Sequence, residues 1–160
     1  MRLVIAAVGR LKDGAERELF AKYRDRFEAA GKRLGMQPIV WHETVESRAT
    51  VAAKRSAEEG AALLKLAREA NFIIALDERG QMLSSEAFAN LLAQVRDDGA
   101  KTAAILVGGA DGLAPEVLAA ARAKVSFGAI TLPHQLARVI LAEQLYRAAT
   151  ILAGHPYHRG

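Results

Sequence analysis

Residues 103–113 read Ala-Ala-Ile-Leu-Val-Gly-Gly-Ala-Asp-Gly-Leu, a short apolar segment followed by a glycine-rich turn. An apolar segment of this length, bounded by turn residues, predicts a buried strand over 102–107. Pro115 follows the turn and suits the first turn of a helix, where no amide hydrogen is needed. The stretch therefore predicts a strand, a tight loop and a helix, the repeating unit of a parallel α/β sheet.

The same alternation extends over the whole chain. Strands are predicted over 2–8, 38–42, 72–76, 102–107 and 124–130, and helices over 13–34, 50–70, from Ser84 or Ser85 to Arg96, from Pro115, and over 134–153. This pattern predicts an α/β fold with a mainly parallel sheet of five to six strands and helices on both faces. Without an internal repeat or linker, residues 1–160 are expected to form a single domain.

The composition narrows the class of protein. The chain contains no cysteine, so neither disulfides nor thiolate metal sites contribute, as suits a reducing cytoplasm. No apolar stretch approaches the roughly twenty residues that a membrane span requires. The four histidines are not accompanied by the carboxylate cluster that would indicate a metal site. We therefore expect a cytoplasmic protein without a membrane segment or a bound metal.

The net charge of +4 is unevenly distributed. Basic residues outnumber acids in the first seventy residues and again from Arg122 onward, whereas acids dominate the segment between them. Such clustering of basic residues is compatible with a polyanionic partner such as RNA. A second interpretation stays open, because acids are interspersed in the early basic run and a solvated helix face would show the same pattern.

Two loops in the last third of the chain follow predicted strands, at the position where open α/β sheets bind ligands. The turn at Gly108 lacks the spacing G-x-G-x-x-G and the lysine of a phosphate loop, so it is either a tight turn or a point of close backbone approach to a ligand. The run 127–132 is apolar with small residues in its middle and would suit an adenine ring. Leu76 would flank the same ligand if the three strands are neighbours.

Familiar catalytic groups are scarce. His134 stands at the start of a helix, where the dipole disfavours its charged form, so we expect a neutral capping role rather than catalysis. Glu143 and Arg147 are four residues apart and are expected to pair. Ser84-Ser85 is better explained as a helix cap than as a nucleophile.

Several segments, in order along the chain, resemble the SPOUT class of methyltransferases, and within it the ribosomal RNA large subunit methyltransferase H family. They are ALDERGQMLSSE (75–86), VGGADGL (107–113), TLPHQ (131–135) with Arg138 and Val139, EQLYRA (143–148) and HPYHR (155–159). The resemblance covers the whole chain. It implies a deep trefoil knot in the C-terminal part, within about 72–160, and a homodimer. Sequence periodicity alone would predict an unknotted sheet.

The resemblance also implies an activity, namely methyl transfer from S-adenosylmethionine to N3 of a pseudouridine in 23S ribosomal RNA, on the assembled ribosome. Carried over by position, the cofactor contacts fall on Leu76, Gly108, Phe127, Gly128, Ala129, Ile130, Thr131 and Leu132. The catalytic residues fall on Tyr157, His158 and Arg159. For Arg138, a contact to the cofactor carboxylate and a contact in the dimer stay open.

The scarcity of catalytic groups is compatible with methyl transfer. A sulfonium methyl group is already electrophilic, so positioning and help with loss of the N3 proton are the main requirements. The last helix is apolar on most faces, which suits a dimer interface. Two other classes stay open at this level: an RNA- or ribosome-binding protein without enzymatic activity, and another nucleotide enzyme on a Rossmann-like sheet.

Overall fold

The structure, a computed structural model, describes residues 1–158 with the exception of the side chain of His158. Strands and helices alternate up to a final 3₁₀ turn. In chain order they are β1 (Arg2–Val8), α1 (Ala15–Arg33), β2 (Ile39–Thr44), α2 (Ala52–Leu66), β3 (Phe72–Met82), α3 (Ser85–Asp97), β4 (Thr102–Val107), α4 (Pro115–Ala120), β5 (Ala123–Ser126), α5 (His134–Leu152) and the turn Pro156–His158.

The five described strands form one sheet in the order β2-β1-β4-β3-β5, and every neighbouring pair runs parallel. The central strands β1 and β4 are buried on both faces, which explains why each is a continuous apolar run rather than an alternating one. The prediction of an α/β fold with a parallel sheet is confirmed. The trefoil knot stays a prediction.

Helices cover both faces of this sheet. Leu3 and Ile5 of β1 point to one face and share a core with α1, α3 and α5. Val4 and Ala6 point to the other face and share a second core with α2 and α4. The successive side chains of a strand alternate between the two faces, so β1 contributes to both cores.

The third strand is longer than the sequence predicted. We expected it to end at Leu76, but it continues to Met82 after a bulge over 77–80. The bulge is stabilised locally, because the Asp77 carboxylate accepts a hydrogen bond from the Arg79 amide at 2.9 Å. An aspartate that bonds the backbone two residues later is typical of a turn, which is why the segment looked like the end of the strand.

Gly80 brings the bulge against β5. A Cβ at this position would lie 2.7 Å from backbone atoms of Lys124 and Val125, closer than real Cβ contacts. The close approach of the two backbones therefore requires glycine here.

The fifth strand is shorter than the predicted 124–130 and ends at Ser126. The buried Ser126 hydroxyl donates to the Gly128 carbonyl at 3.0 Å and accepts from the Gly128 amide at 3.2 Å. Gly128 has a φ of +127°, a conformation that side-chain-bearing residues rarely adopt. The chain therefore leaves the sheet early and forms a loop before α5.

The apolar pattern of α5 has a different explanation from the one expected. Its inward residues are buried against α1, α3 and the sheet of the same chain. They include Val139, Leu141, Ala142, Leu145, Ala148 and Ala149. One chain covers these residues, whereas Leu136 of the same helix is 41% exposed, and the homodimer stays a prediction.

Candidate active site

Three loops meet at the carboxyl edge of the sheet, after β3, β4 and β5. β3 lies between the other two strands, and Leu76 pairs with Val107 of β4 and with Val125 of β5. Gly108 directly follows the first partner, and Phe127 stands two residues after the second. Neighbouring strands lie about 4.8 Å apart, so the structure brings Leu76 and the two later loops together and meets the condition that the sequence left open.

The loop after β4 is a tight turn that needs its glycines. A Cβ at Gly108 would lie 2.7 Å from the backbone carbon and oxygen of Gly112. The Gly112 amide donates to the Gly109 carbonyl at 3.1 Å, and Gly112 has a φ of +77°. The sequence left open a tight turn and a close approach to a ligand. The structure shows the tight turn, while the role of Gly108 toward a cofactor stays a prediction.

An ion pair that sequence reasoning missed holds this loop. Arg55 of α2 donates from Nε to Asp111 Oδ2 at 2.7 Å and from Nη2 to Oδ1 at 3.0 Å. The hydrogen bond from Arg55 holds the pKa of Asp111 below its ordinary value, and the same bond raises the pKa of Arg55. The residues are far apart in sequence, so no local pattern marked them as partners.

The loop after β5 carries the six residues predicted to contact a cofactor. It has no regular secondary structure, and Ile130 is 82% exposed. Within residues 1–158, the amides of 129–132 donate to no protein acceptor. A Cβ at Gly128 would meet no atom within 4 Å, so there is open space beside the loop. Free amides beside open space are what a ligand bound by backbone hydrogen bonds requires.

Tyr157 of the predicted catalytic tail is held against α5 instead. Its hydroxyl donates to Glu143 Oε1 at 3.2 Å, and its ring centroid lies 4.6 Å from that of Tyr146. The Arg147 guanidinium lies 5.2 Å from the same ring. Burial, the Tyr23 hydroxyl and the Glu143 carboxylate raise the pKa of Tyr157, so the phenol stays protonated and donates.

Within its own chain, Tyr157 is held away from the end of the third loop. Glu143 lies about 14 Å along α5 from its first residue, at a rise of about 1.5 Å per residue, and the third loop ends just before that residue. The His158 side chain and Arg159, the other two predicted catalytic groups, lie outside the described residues. Their roles stay predictions.

Arg138 is buried and engaged within the chain. Its Nη1 donates to Glu43 Oε1 at 2.9 Å and its Nη2 donates to the Val8 carbonyl at 2.8 Å. Burial lowers the pKa of Arg138, while the Glu43 and Glu46 carboxylates oppose this shift. These contacts connect the start of α5 to the ends of β1 and β2, so the structure shows a third role beside the two that the sequence left open.

Of the other roles predicted for polar side chains, two are confirmed and one is wrong. The Ser84 hydroxyl caps α3 by accepting from the Ala87 amide at 3.1 Å, and Arg147 pairs with Glu143 at 2.8 Å, both as predicted. The capping role expected of His134 is wrong, because Pro133 occupies the cap position and His134 is the first helical residue. The His134 Nε2 atom instead lies 3.8 Å from a Glu46 carboxylate oxygen.

Residues 1–158 contain no group of three or more His, Cys, Asp or Glu side chains arranged to hold a metal ion. None of the described helices combines the length and the apolar character that crossing a membrane would require.

Comparison with known sequences gives matches over essentially the whole chain. The family described as predicted SPOUT methyltransferase matches residues 1–158. The Ribosomal RNA large subunit methyltransferase H of Nitrobacter winogradskyi is 55% identical over 160 residues, with 100% of both chains covered. The protein of the same name from Bradyrhizobium diazoefficiens is 54% identical over 159 residues, with 99% of both chains covered.

Comparison with solved structures supports the fold. The Probable Methyltransferase from Bordetella pertussis Tohama I superimposes with a TM-score of 0.53 at 15% sequence identity, covering 92% of this chain and 95% of that chain. At such low identity the likeness concerns the arrangement of strands and helices alone.

Proposed function

Because the chain belongs to the SPOUT methyltransferase family, we propose that it transfers a methyl group from S-adenosylmethionine to RNA of the large ribosomal subunit. The name shared by its full-length relatives supports the RNA substrate. The observation that supports this proposal most directly is the meeting of three loops at one edge of the sheet, where the amides of 129–132 donate to no acceptor within residues 1–158.

The residues at this edge fit the proposed cofactor. The amides of 129–132 would donate hydrogen bonds, Leu76 would supply an apolar contact, and the glycine turn at Gly108 would let the backbone approach closely. The open space beside Gly128 leaves room for a ligand. The cofactor supplies a methyl group on a positively charged sulfur, so the protein has to position and shield the reactants rather than provide a nucleophile.

For the acceptor we propose N3 of a pseudouridine in 23S ribosomal RNA within the assembled ribosome, which would place the protein in the cytoplasm. The proton on N3 has to leave as the new N–C bond forms. His158 would accept this proton, Arg159 would stabilise negative charge on the base, and Tyr157 would position the ring. The resemblance of the terminal segment to the family supports these roles.

Because Tyr157 packs on α5, the proposed catalytic role requires either a movement of the tail or a second subunit. To reach a candidate active site, the tail either leaves α5 or contributes to the site of a second subunit. We propose the second arrangement, a homodimer of subunits whose C-terminal part is knotted. The position of Tyr157 on α5, away from the end of the third loop of its own chain, supports this arrangement.

The proposal is tested by methyl transfer from isotopically labelled S-adenosylmethionine to assembled ribosomes, separated subunits and naked 23S RNA. Mass mapping of the product then locates the modified nucleotide. We expect label at one pseudouridine, with assembled ribosomes as the best acceptor. Label on another nucleotide would reject the specific acceptor but keep the methyltransferase, and absence of transfer to any RNA would reject both.

A further inference from the structure

A cavity of about 290 Å³ lies outside the three loops, between α1 and the β1–β2 side of the sheet. Its floor consists of two cross-strand pairs, Ile5 with Trp41 and Ala7 with Glu43. Its wall is one face of α1, with residues spaced three and four apart. These are Arg17, Phe20, Ala21 and Arg24. The volume is at the lower end of the range for small-molecule pockets, roughly 300–1,000 Å³.

The cavity contains a fixed aromatic surface. The rings of Phe20 and Trp41 meet edge to face, with centroids 5.1 Å apart and planes at 85°. The Trp41 indole is held in place because its Nε1 donates to Glu28 Oε1 at 2.9 Å. Both aromatic residues are partly exposed rather than buried in the core. Exposed aromatic faces of this kind stack unpaired nucleic-acid bases without regard to sequence.

Two arginines flank this surface and are only weakly engaged. Arg17 pairs with Asp13 at 3.0 Å and Arg24 pairs with Asp25 at 2.7 Å, and the two carboxylates are 96% and 64% exposed. Ion pairs between exposed side chains contribute little free energy, so a phosphate would compete for either guanidinium at small cost. Arg17 and Arg24 are seven residues apart, two turns of the same helix, with Phe20 between them.

The other charges at the cavity are already neutralised. Arg138 and Glu43 pair with each other at 2.9 Å, and Glu43 also accepts from the Leu11 amide at 3.0 Å. The cations for which a phosphate would compete are therefore the two arginines of α1, because their ion pairs with Asp13 and Asp25 are exposed. A cavity that offers the face of an aromatic ring between two cations matches a nucleotide, which combines a planar base with anionic phosphates.

The cavity is close to the candidate active site. β1 is separated from β3 by β4 alone, so the two strands lie about 10 Å apart. Arg138, which lines the cavity, belongs to the first turns of α5 and follows the loop after β5. An RNA strand at the three loops would therefore reach the cavity within one or two nucleotides.

We propose that this cavity binds one unpaired nucleotide of the RNA substrate, adjacent to the nucleotide that is methylated. The base lies against Phe20 and Trp41, and the phosphates on its two sides are bound by Arg17 and Arg24. The proposal rests on the proposed function, because it assigns a binding site for the same RNA.

Trp41 provides a direct readout, because it is the single tryptophan of the chain. Titration with a short single-stranded RNA oligonucleotide is expected to change its fluorescence in a saturable way. Inorganic phosphate at the same ionic strength is expected to leave it unchanged. A response to phosphate as strong as the response to RNA would reject a nucleotide site in favour of a simple anion site.

The double variant Arg17→Gln/Arg24→Gln tests the phosphate contacts, and Arg33→Gln is the matched control, an exposed arginine at the other end of α1. We expect roughly tenfold weaker oligonucleotide binding for the double variant. The slope of log affinity against log salt should fall by about 1.4, since each single-strand phosphate contact contributes about 0.7. The KM for the ribosomal acceptor should rise with kcat unchanged. Binding equal to that of Arg33→Gln would overturn the proposal.

The variant Phe20→Leu tests the stacking contact separately. It keeps an apolar side chain but removes the ring, so we expect weaker oligonucleotide binding with an unchanged salt slope. Unchanged affinity in this variant, with folding verified by thermal unfolding, would exclude the base contact. If the wild type transfers no methyl group to any RNA, the proposed function fails, and the Trp41 titration still decides whether the cavity binds a nucleotide.

Discussion

Gly108 shows how a single residue type can be required for two reasons. The turn after β4 brings the backbone of Gly112 so close that a Cβ at Gly108 would lie 2.7 Å from it. The same lack of a side chain would let a ligand reach the backbone from the open side. The packing of the turn alone already explains the glycine, so only measurements of stability and of cofactor binding together separate the two reasons.

We expect Gly108→Ala to lower the free energy of unfolding by about 1–3 kcal/mol, the usual cost of inserting an extra methyl group into a closely packed site. Affinity for S-adenosylmethionine should fall as well, because the displaced turn moves the loop. Urea unfolding and titration calorimetry measure the two effects. Ala110→Ser, at the exposed tip of the same loop, is the control and should change neither quantity. A stable variant with wild-type affinity would contradict the expectation.

The ion pair of Asp111 makes the stability of the folded state depend on pH. The hydrogen bond from Arg55 lowers its pKa, so the pair stabilises the folded state fully above the ordinary carboxyl value of 3.8 and loses this contribution as the pH falls through the lowered pKa. We expect Asp111→Asn to be less stable than the wild type by a constant amount near neutral pH. Below about pH 4 the difference should shrink. Urea unfolding from pH 7 to pH 2 measures it, and a difference independent of pH would exclude the ion pair as its cause.

At the scale of elements, α5 is attached to the sheet by a polar contact as well as by its apolar face. Arg138 lies in the first two turns of the helix and bonds the ends of β1 and β2 through Val8 and Glu43. The loop that precedes α5 carries the predicted cofactor contacts. The attachment therefore fixes one end of that loop, while Ser126 fixes the other.

We expect Arg138→Met to lower the free energy of unfolding by about 2–3 kcal/mol. This is less than the 3–5 kcal/mol of a fully buried pair, because the Glu43 side chain is 39% exposed and regains water. The Val8 carbonyl also loses its donor. The double variant Arg138→Met/Glu43→Gln should recover part of the loss, because it removes the unpaired carboxylate. Urea denaturation midpoints measure both variants, and additive effects would show that the two side chains act independently.

At the scale of the whole molecule, the candidate site exists because of the strand order. Leu76, Gly108 and Phe127 are far apart in sequence, and the position of β3 between β4 and β5 brings their loops to one edge. The terminal segment is placed by a different part of the molecule, the outer surface of α1 and α5. Cofactor loops and tail are therefore separable by mutation.

We expect removal of residues 157–160 to leave the fold and S-adenosylmethionine affinity close to wild type, while methyl transfer to ribosomes is lost. The reason is that Tyr157 contacts side chains of α5 rather than the core of the sheet, whereas the proposed proton acceptor, His158, lies within the removed segment. Circular dichroism, calorimetry and a methyl-transfer assay measure the three quantities. Tyr157→Phe, which removes the hydroxyl bonded to Glu143 but keeps the ring, should retain part of the activity. Full activity without residues 157–160 would reject the catalytic role of the tail.

The sequence by itself determined the elements and their type. Apolar runs of strand length and helical spacing identified five strands and five helices, because burial on both faces and amphipathic periodicity are local properties of the chain. Local chemistry also identified the Ser84 cap and the pairing of Glu143 with Arg147. Strand bounds were wrong where turn-forming residues obscured a strand, as at the 77–80 bulge, and where a strand ended early, as after Ser126. The cap expected at His134 was also wrong, because Pro133 occupies that position.

Only the tertiary structure decided which loops are neighbours and which charges are partners. Strand order, the pairing of Arg55 with Asp111 and the burial of Arg138 depend on contacts between residues that are distant in sequence. Such contacts follow from how whole faces of helices and strands pack, which no local pattern records. The glycine turn that begins at Gly108 was visible from the start, but its place beside Leu76 and the loop after β5 is a property of the folded sheet.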